Sequence, residues 1–325
     1  MESNTPKLPG TIQMDVAPLP LVAIAGPTGS GKSELALGLA EEFAGEIVNC
    51  DSLQVYRHFD LGTAKLPLSG RRGIPHHLID IADPDEVFTA GEYARRARAA
   101  IAGISSRGKL PIVAGGTGFY LRALLDGLFA GPERDEALRA RLARREGRRP
   151  GSLHRILRRL DPAAAGAIHP RDVPKVTRAL EICLLTRRRA SDLFRAGRDS
   201  LRGYRTLKIG LDPDRDALYA RLDERSRRMF ECGLAAEVER ILALGFPPEA
   251  KPFESHGYKQ ALQMLRGELN WKEAVFYTQR NTRRYAKRQM TWFRQESGIV
   301  WLKGFGEEPG VRAAAGHLVR NFLTN

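Results

Sequence analysis

Gly26-Pro27-Thr28-Gly29-Ser30-Gly31-Lys32-Ser33 satisfies every fixed position of the GxxxxGK[ST] pattern. It follows the apolar run Leu21 to Ala25 and precedes a stretch of good helix formers, the strand-to-helix setting that a P-loop requires. Glycines let backbone N–H groups close round phosphate oxygens, and the helix N-terminus adds positive potential. Lys32 brings a point charge, and the Ser33 hydroxyl can reach a magnesium ion, so Mg2+ is the expected cofactor. The pattern promises phosphate and leaves the rest of the ligand open. Motor ATPases and GTPases end a second apolar strand on a magnesium-associated acid, whereas PIVAGGTG here ends in glycines. Asp51 and Asp80 remain as candidate acids. Asp51 is the better placed, closing the run EIVNC, because ligands of open parallel sheets lie beyond the carboxyl ends of the strands. With Ser52 beside it, Asp51 can equally be read as a turn or helix cap.

Short apolar runs separated by helical stretches must position these residues. LVAIA, a helix through Glu34 to Phe43, EIVNC, HHLIDI, a helix from Ala90 to Ser106 and PIVAGG follow one another. That alternation predicts a doubly wound α/β fold with a parallel sheet. From about Arg134 the character changes to arginine-rich helices such as LRARLARREG, LHRILRRLDP and VTRALEICLLTRR. YRTLKIGLD then returns as a strand, and helices resume through LYARLDERSRRMFECG and from Trp271 to Gln295. The expected organisation is a flexible tail over 1–18, a P-loop α/β core over 19–130 and 205–325, and an all-helical insertion over 131–204.

The formal charge of +14 points to a polyanionic partner, although arginines on solvated helix faces would give the same total. Residues 134–206 hold 20 Arg or Lys against 8 Asp or Glu, so a surplus of 12 sits in the insertion. No apolar run approaches the length of a membrane span, and Met1 to Leu19 lacks a signal-peptide pattern. Cys50, Cys183 and Cys232 lie far apart, offering neither a disulfide framework nor a CxxC metal site. A cytoplasmic protein is expected. His76 and His77 are read as structural hydrogen-bonding groups, since no cysteine pair or acidic cluster stands at ligand spacing.

Several linked motifs carry a resemblance over about Leu21 to Trp301. GPTGSGKS is followed by Asp51-Ser52-Leu53-Gln54-Val55-Tyr56-Arg57, Gly62-Thr63-Ala64-Lys65, Pro75-His76-His77-Leu78-Ile79-Asp80 and Gly115-Gly116-Thr117-Gly118-Phe119-Tyr120. Tyr285-Ala286-Lys287-Arg288-Gln289-Met290-Thr291-Trp292-Phe293-Arg294 stands near the other end. In order and spacing they resemble the tRNA dimethylallyltransferase (tRNA isopentenyltransferase) family. The resemblance implies a core related to P-loop kinases and a helical insertion that grips the anticodon arm of tRNA. Dimethylallyl diphosphate would place its diphosphate on the P-loop, and Asp51 would be the general base for the N6 amine of an adenine beside the anticodon. Thr28, Lys32 and Ser33 would hold diphosphate and magnesium, with Arg225 as the candidate arginine from the C-terminal half. Asp51, Ser52, Leu53, Gln54, Thr117, Arg139, Pro174, Lys175, Val176, Thr177, Arg178, Arg284 and Arg288 would face tRNA. A monomer is expected. The segment Phe253 to Gln260 keeps Gly257-Tyr258-Lys259 but carries less usual residues before it, and the zinc finger of eukaryotic relatives is missing.

Three other readings compete. A small-molecule P-loop kinase would explain the cradle and leave the basic insertion unexplained, whereas an RNA-binding ATPase would explain the charge and leave Asp51 unexplained. An adenylate isopentenyltransferase, acting on a free nucleotide, is disfavoured by the long insertion.

Overall fold

The computed structural model describes residues 17–129, 131–195 and 197–325. Most of the expected tail, residues 1–16, therefore lies outside the described residues. The first half of the core runs β1 (Leu19–Ala25), α1 (Lys32–Glu42), β2 (Gly45–Asn49), β3 (His76–His77), α2 (Ala90–Ser106), β4 (Leu110–Ala114) and α3 (Gly118–Leu125). Five helices follow: α4 (Glu136–Arg148), α5 (Ser152–Leu160), α6 (Pro162–Ala167), α7 (Val173–Thr186) and α8 (Ala190–Arg195). The chain returns through β5 (Tyr204–Asp212), α9 (Arg215–Glu231), α10 (Leu234–Ala243), α11 (Tyr258–Leu265), α12 (Trp271–Phe293), β6 (Ile299–Lys303) and α13 (Pro309–Thr324).

The six strands form one sheet in the order β3-β2-β4-β1-β5-β6, and every pairing is parallel. β1 lies centrally, with Val22 opposite Ile112 on β4 and seven successive pairs to β5, from Leu19 with Tyr204 to Ala25 with Gly210. Central parallel strands are covered on both faces and read as unbroken apolar runs. Leu21 to Ala25 are accordingly almost inaccessible to solvent. Val22, Ile24, Ile47, Ile112 and Ile209 share a core with Leu35 and Leu39 of α1 and with Val311, Ala315 and Val319 of α13. Both β6 and α13 escaped the sequence reading. β6 is an edge strand of five residues with a half-exposed pattern, and α13 starts directly after it at Pro309. HHLIDI yields only a two-residue strand, because Leu78 and Asp80 turn to positive φ (64° and 57°). His76 Nδ1 lies 2.8 Å from the Ile74 carbonyl and His77 Nε2 lies 2.7 Å from Glu46, so both histidines are structural.

The chain divides into two compact units. One gathers the chain up to Phe88, Ala99–Gly118 and Arg202–Asn325; the other gathers Thr89–Arg98 and Phe119–Leu201. The second unit thus starts before 131, taking in part of α2 and nearly all of α3, and ends at Leu201 where the expected insertion ran to 204. Its helices α4 to α8 close on their own core, built from Leu138, Leu142, Leu153, Leu157, Val176, Leu180 and Ile182 among others. Asp135, Asp161 and Asp172 each cap a helix start by accepting a backbone N–H, so the acids here mark where helices begin.

Candidate active site

At the carboxyl end of β1 the chain turns through the loop that α1 follows. Gly31, the residue before α1, has φ +85°, and a Cβ there would stand 2.1 Å from Glu307 Oε2, so only glycine fits. Pro27 and Ser30 are buried, and the Ser30 hydroxyl has no hydrogen-bond partner. Lys32 Nζ donates to the Pro27 carbonyl at 2.7 Å, folding the ammonium back over the loop. Burial pulls its pKa down to about 8, with Arg225 lowering it further and Asp51 partly opposing the drop.

A cavity of about 220 Å³ opens above the loop, lined by Thr28, Lys32, Ser33, Asp51 and Gln54 together with Arg221, Arg225 and Gln289. The structure thus brings Asp51 and Arg225, expected from separate halves of the sequence, to one cavity with the P-loop. Arg225 Nη2 donates to the Thr28 hydroxyl at 2.8 Å, while its Nε is buried without a partner. Burial lowers the Arg225 pKa to about 10, and Asp51 acts against that shift. Asp51 Oδ1 accepts the Leu53 N–H at 2.9 Å, and its own N–H donates to Asn49 Oδ1 at 3.1 Å. The turn-cap reading of Asp51 therefore holds for Oδ1, leaving Oδ2 without a hydrogen bond among the described residues.

Thr117 receives the Ser52 N–H at 3.0 Å and lies within reach of the Ser52 hydroxyl at 3.3 Å, tying the end of β4 to the segment after Asp51. Burial first, then the charge of Asp51, pushes the Tyr285 phenol well above its ordinary pKa, and neighbouring Thr117 works against that rise.

Gln289, a residue to which the motif assigns no role, joins two walls of the cavity. Its Oε1 accepts the Thr28 N–H and its Nε2 donates to the Gly116 carbonyl, both at 2.8 Å. A Cβ on Gly116 would come within 2.3 Å of that Nε2, which explains the glycine. One sequence signal was available: Thr282, Ala286, Gln289 and Phe293 share the buried face of α12, so a glutamine stands where packing calls for an apolar residue. Arg221 was also missed, although it precedes Arg225 by one helical turn.

The residues expected to face tRNA divide. On α12, Arg284 and Arg288 are exposed. On α7, Pro174 and Lys175 are exposed and Thr177 is half-buried. Val176 needs correction: it is 1% exposed in the helical core, so its side chain faces inward. Arg139 and Arg178 both bond to the carboxylate of Glu181, at 2.7 Å and 2.5 Å, and Glu181 is wholly buried. Burial alone would raise the Glu181 pKa, but hydrogen bonds from the two arginines hold it at about 2. These two guanidinia are committed inside the helical unit. Among the described residues, no group of three or more His, Cys, Asp or Glu side chains could hold a metal ion. No helix among them is long and apolar enough to cross a membrane.

A glycine-rich cradle at the carboxyl edge of a parallel sheet, with two arginines, a lysine and the carboxylates of Asp51 and Glu34 round the cavity, defines a P-loop α/β protein. A family profile described as IPP transferase matches residues 54–296, and the chain belongs to that family. The tRNA dimethylallyltransferase of Solibacter usitatus (strain Ellin6076) is 73% identical over 305 residues, covering 94% of this chain and 99% of that one. The tRNA dimethylallyltransferase of Koribacter versatilis (strain Ellin345) is 54% identical, covering 92% and 98%. Among solved structures, the full-length tRNA isopentenylpyrophosphate transferase from Bacillus halodurans superposes with a TM-score of 0.68 at 37% identity, covering 94% and 95%. A eukaryotic dimethylallyltransferase described as acting on tRNA gives a TM-score of 0.80 at 30% identity, covering 94% and 80%.

Proposed function

We propose that this chain is a tRNA dimethylallyltransferase. It transfers the dimethylallyl group of dimethylallyl diphosphate to N6 of adenine 37 in tRNAs that read codons beginning with U, and diphosphate is released. The observation that carries the reading is the cavity itself, which the P-loop, Asp51, Arg221 and Arg225 line together. Arg225 lines the cavity, and its Nε, buried without a partner, is a donor that a phosphate oxygen would satisfy.

In this reading the N6 lone pair forms a bond to C1 of the donor as the C1–O bond to diphosphate breaks. Asp51 takes the proton leaving N6, a step the adenine amine needs because its lone pair is delocalised into the ring. The Leu53 N–H on Oδ1 orients that carboxylate. Lys32, Arg225 and the loop amides stabilise charge growing on the departing diphosphate. The Ser33 hydroxyl lines the same cavity and is an oxygen donor, which suits Mg2+ bound mainly through substrate phosphates and water. Such an ion would neutralise part of the diphosphate charge.

Exposed Arg284, Arg288, Pro174 and Lys175, with Ser52, Leu53, Gln54 and Thr117 near the base, are the proposed contacts to the anticodon stem-loop. The protein acts as a cytoplasmic monomer in this proposal. The test is incubation of purified protein with Mg2+, dimethylallyl diphosphate and a stem-loop containing A36-A37-A38, or AMP in its place, read by mass spectrometry. Prenylated RNA and unchanged AMP are expected; prenylated AMP with unchanged RNA would overturn the assignment.

A further inference from the structure

An ion pair beside the cradle has no part in the chemistry above. Arg221 lines the cavity one helical turn before Arg225, its guanidinium pairs with Glu307 Oε1, and it lies 4.8 Å from the centroid of Phe305. Glu307 belongs to the short turn between β6 and α13. That turn is fastened to the P-loop, since the Gly306 N–H donates to the Ser30 carbonyl at 2.9 Å. The second carboxylate oxygen, Oε2, is buried without a hydrogen-bond partner and packs against Gly31, the residue before α1.

A carboxylate oxygen lacking donors is costly to bury, and this one rests against the loop that binds anions. We propose that Arg221 is a third diphosphate-contacting cation, beside Lys32 and Arg225, and that Glu307 is an internal carboxylate competing with diphosphate for it. Arg221 alternates between the Glu307 carboxylate and a diphosphate oxygen. Its side chain is 42% exposed and that of Glu307 38%, so the exchange requires little desolvation. The guanidinium keeps an anionic partner in both arrangements, and the carboxylate limits how tightly the product is held. Arg225 differs in kind, being fixed on the Thr28 hydroxyl.

The inference rests on the reading that this cavity takes a diphosphate, and calorimetric titration of inorganic diphosphate with Mg2+ into the full chain separates the two. Glu307→Gln keeps the shape and removes the charge, and is expected to tighten diphosphate binding about three- to tenfold. Arg221→Gln is expected to weaken it about tenfold. In the double variant, adding Glu307→Gln to Arg221→Gln should change affinity less than about twofold, because the contested cation is gone. KM for dimethylallyl diphosphate should follow the same order, and because Glu307→Gln is expected to gain affinity, a folding defect cannot imitate it. Glu307→Gln binding no tighter than the unaltered protein, or tightening equally without Arg221, overturns the proposal. Failure of the unaltered protein to bind diphosphate overturns the underlying reading instead.

Discussion

Asp51 holds a turn through Oδ1, and in the proposed reaction the same carboxylate takes the proton. Asn at this position would still accept the Leu53 N–H through its amide oxygen but could take no proton. Asp51→Asn is therefore expected to lower kcat by about 10²- to 10⁴-fold, with affinity for the stem-loop changed less than about twofold. Single-turnover kinetics beside a binding titration would check it, and near-normal turnover would remove Asp51 from the mechanism. Lys32 adds a pH dependence. With its pKa drawn down to about 8, the ammonium is charged below that pH, so affinity for inorganic diphosphate should be level up to about pH 8 and fall above it. The stability effect has the opposite sense. Lys32 loses its proton more readily in the folded state, so the cost of burying its charge is fully present below pH 8 and is relieved toward its ordinary value of 10.5. The cradle and Asp51 were legible because their spacing is local. The pairing of Arg221 with Glu307 was not, since only the fold brings together residues so far apart in sequence.

At the scale of elements, α12 carries two tasks on opposite faces. Arg284 and Arg288 are exposed, while Ala286, Gln289 and Phe293 are buried, as the period of the sequence requires. Gln289 is the exception that links α12 to both the P-loop and the end of β4. Gln289→Met keeps the volume and leaves the Thr28 N–H and Gly116 carbonyl without those bonds, at a cost of about 1–3 kcal/mol for each group left unsatisfied. Denaturant unfolding should show that loss together with a raised KM for the donor; unchanged stability would mean water replaces the amide. The strongest apolar runs gave correct strands: YRTLKIGLD coincides with β5 and LVAIA with most of β1. The edge strand β6 did not declare itself, because a short half-exposed strand lacks the unbroken apolar signature of a covered one.

At the scale of the molecule, the arginine-rich stretch was legible as a helical body with its own composition, whereas the use of individual arginines was not. Arg139 and Arg178 look like solvent-facing charges until Glu181 is seen between them. Glu181→Gln should destabilise the protein by about 3 kcal/mol, because two partly buried cations lose their counter-charge. The acid side follows from the same pair. Glu181, held at about 2, contributes its full stabilisation above the ordinary 4.5 and loses it as the pH falls from there toward 2, measurable as a Glu181-dependent fall in melting temperature. The remaining surplus of positive charge predicts that affinity for tRNA falls steeply with salt, with log K linear in log salt concentration. A flat salt response would contradict the role given to the basic helices.

The seven-residue pairing of β1 with β5 also sets an order of events during synthesis. β1 is complete at Ala25, yet one of its two neighbours is complete only at Asp212. At roughly 5–20 residues per second on the ribosome, the phosphate-loop strand waits on the order of ten seconds or longer with one edge open. The intervening helices, which have a core of their own, can form during that wait. A released chain truncated before Tyr204 should therefore carry folded α4 to α8 and an unfinished sheet, and that exposed edge is where a chaperone would be needed most.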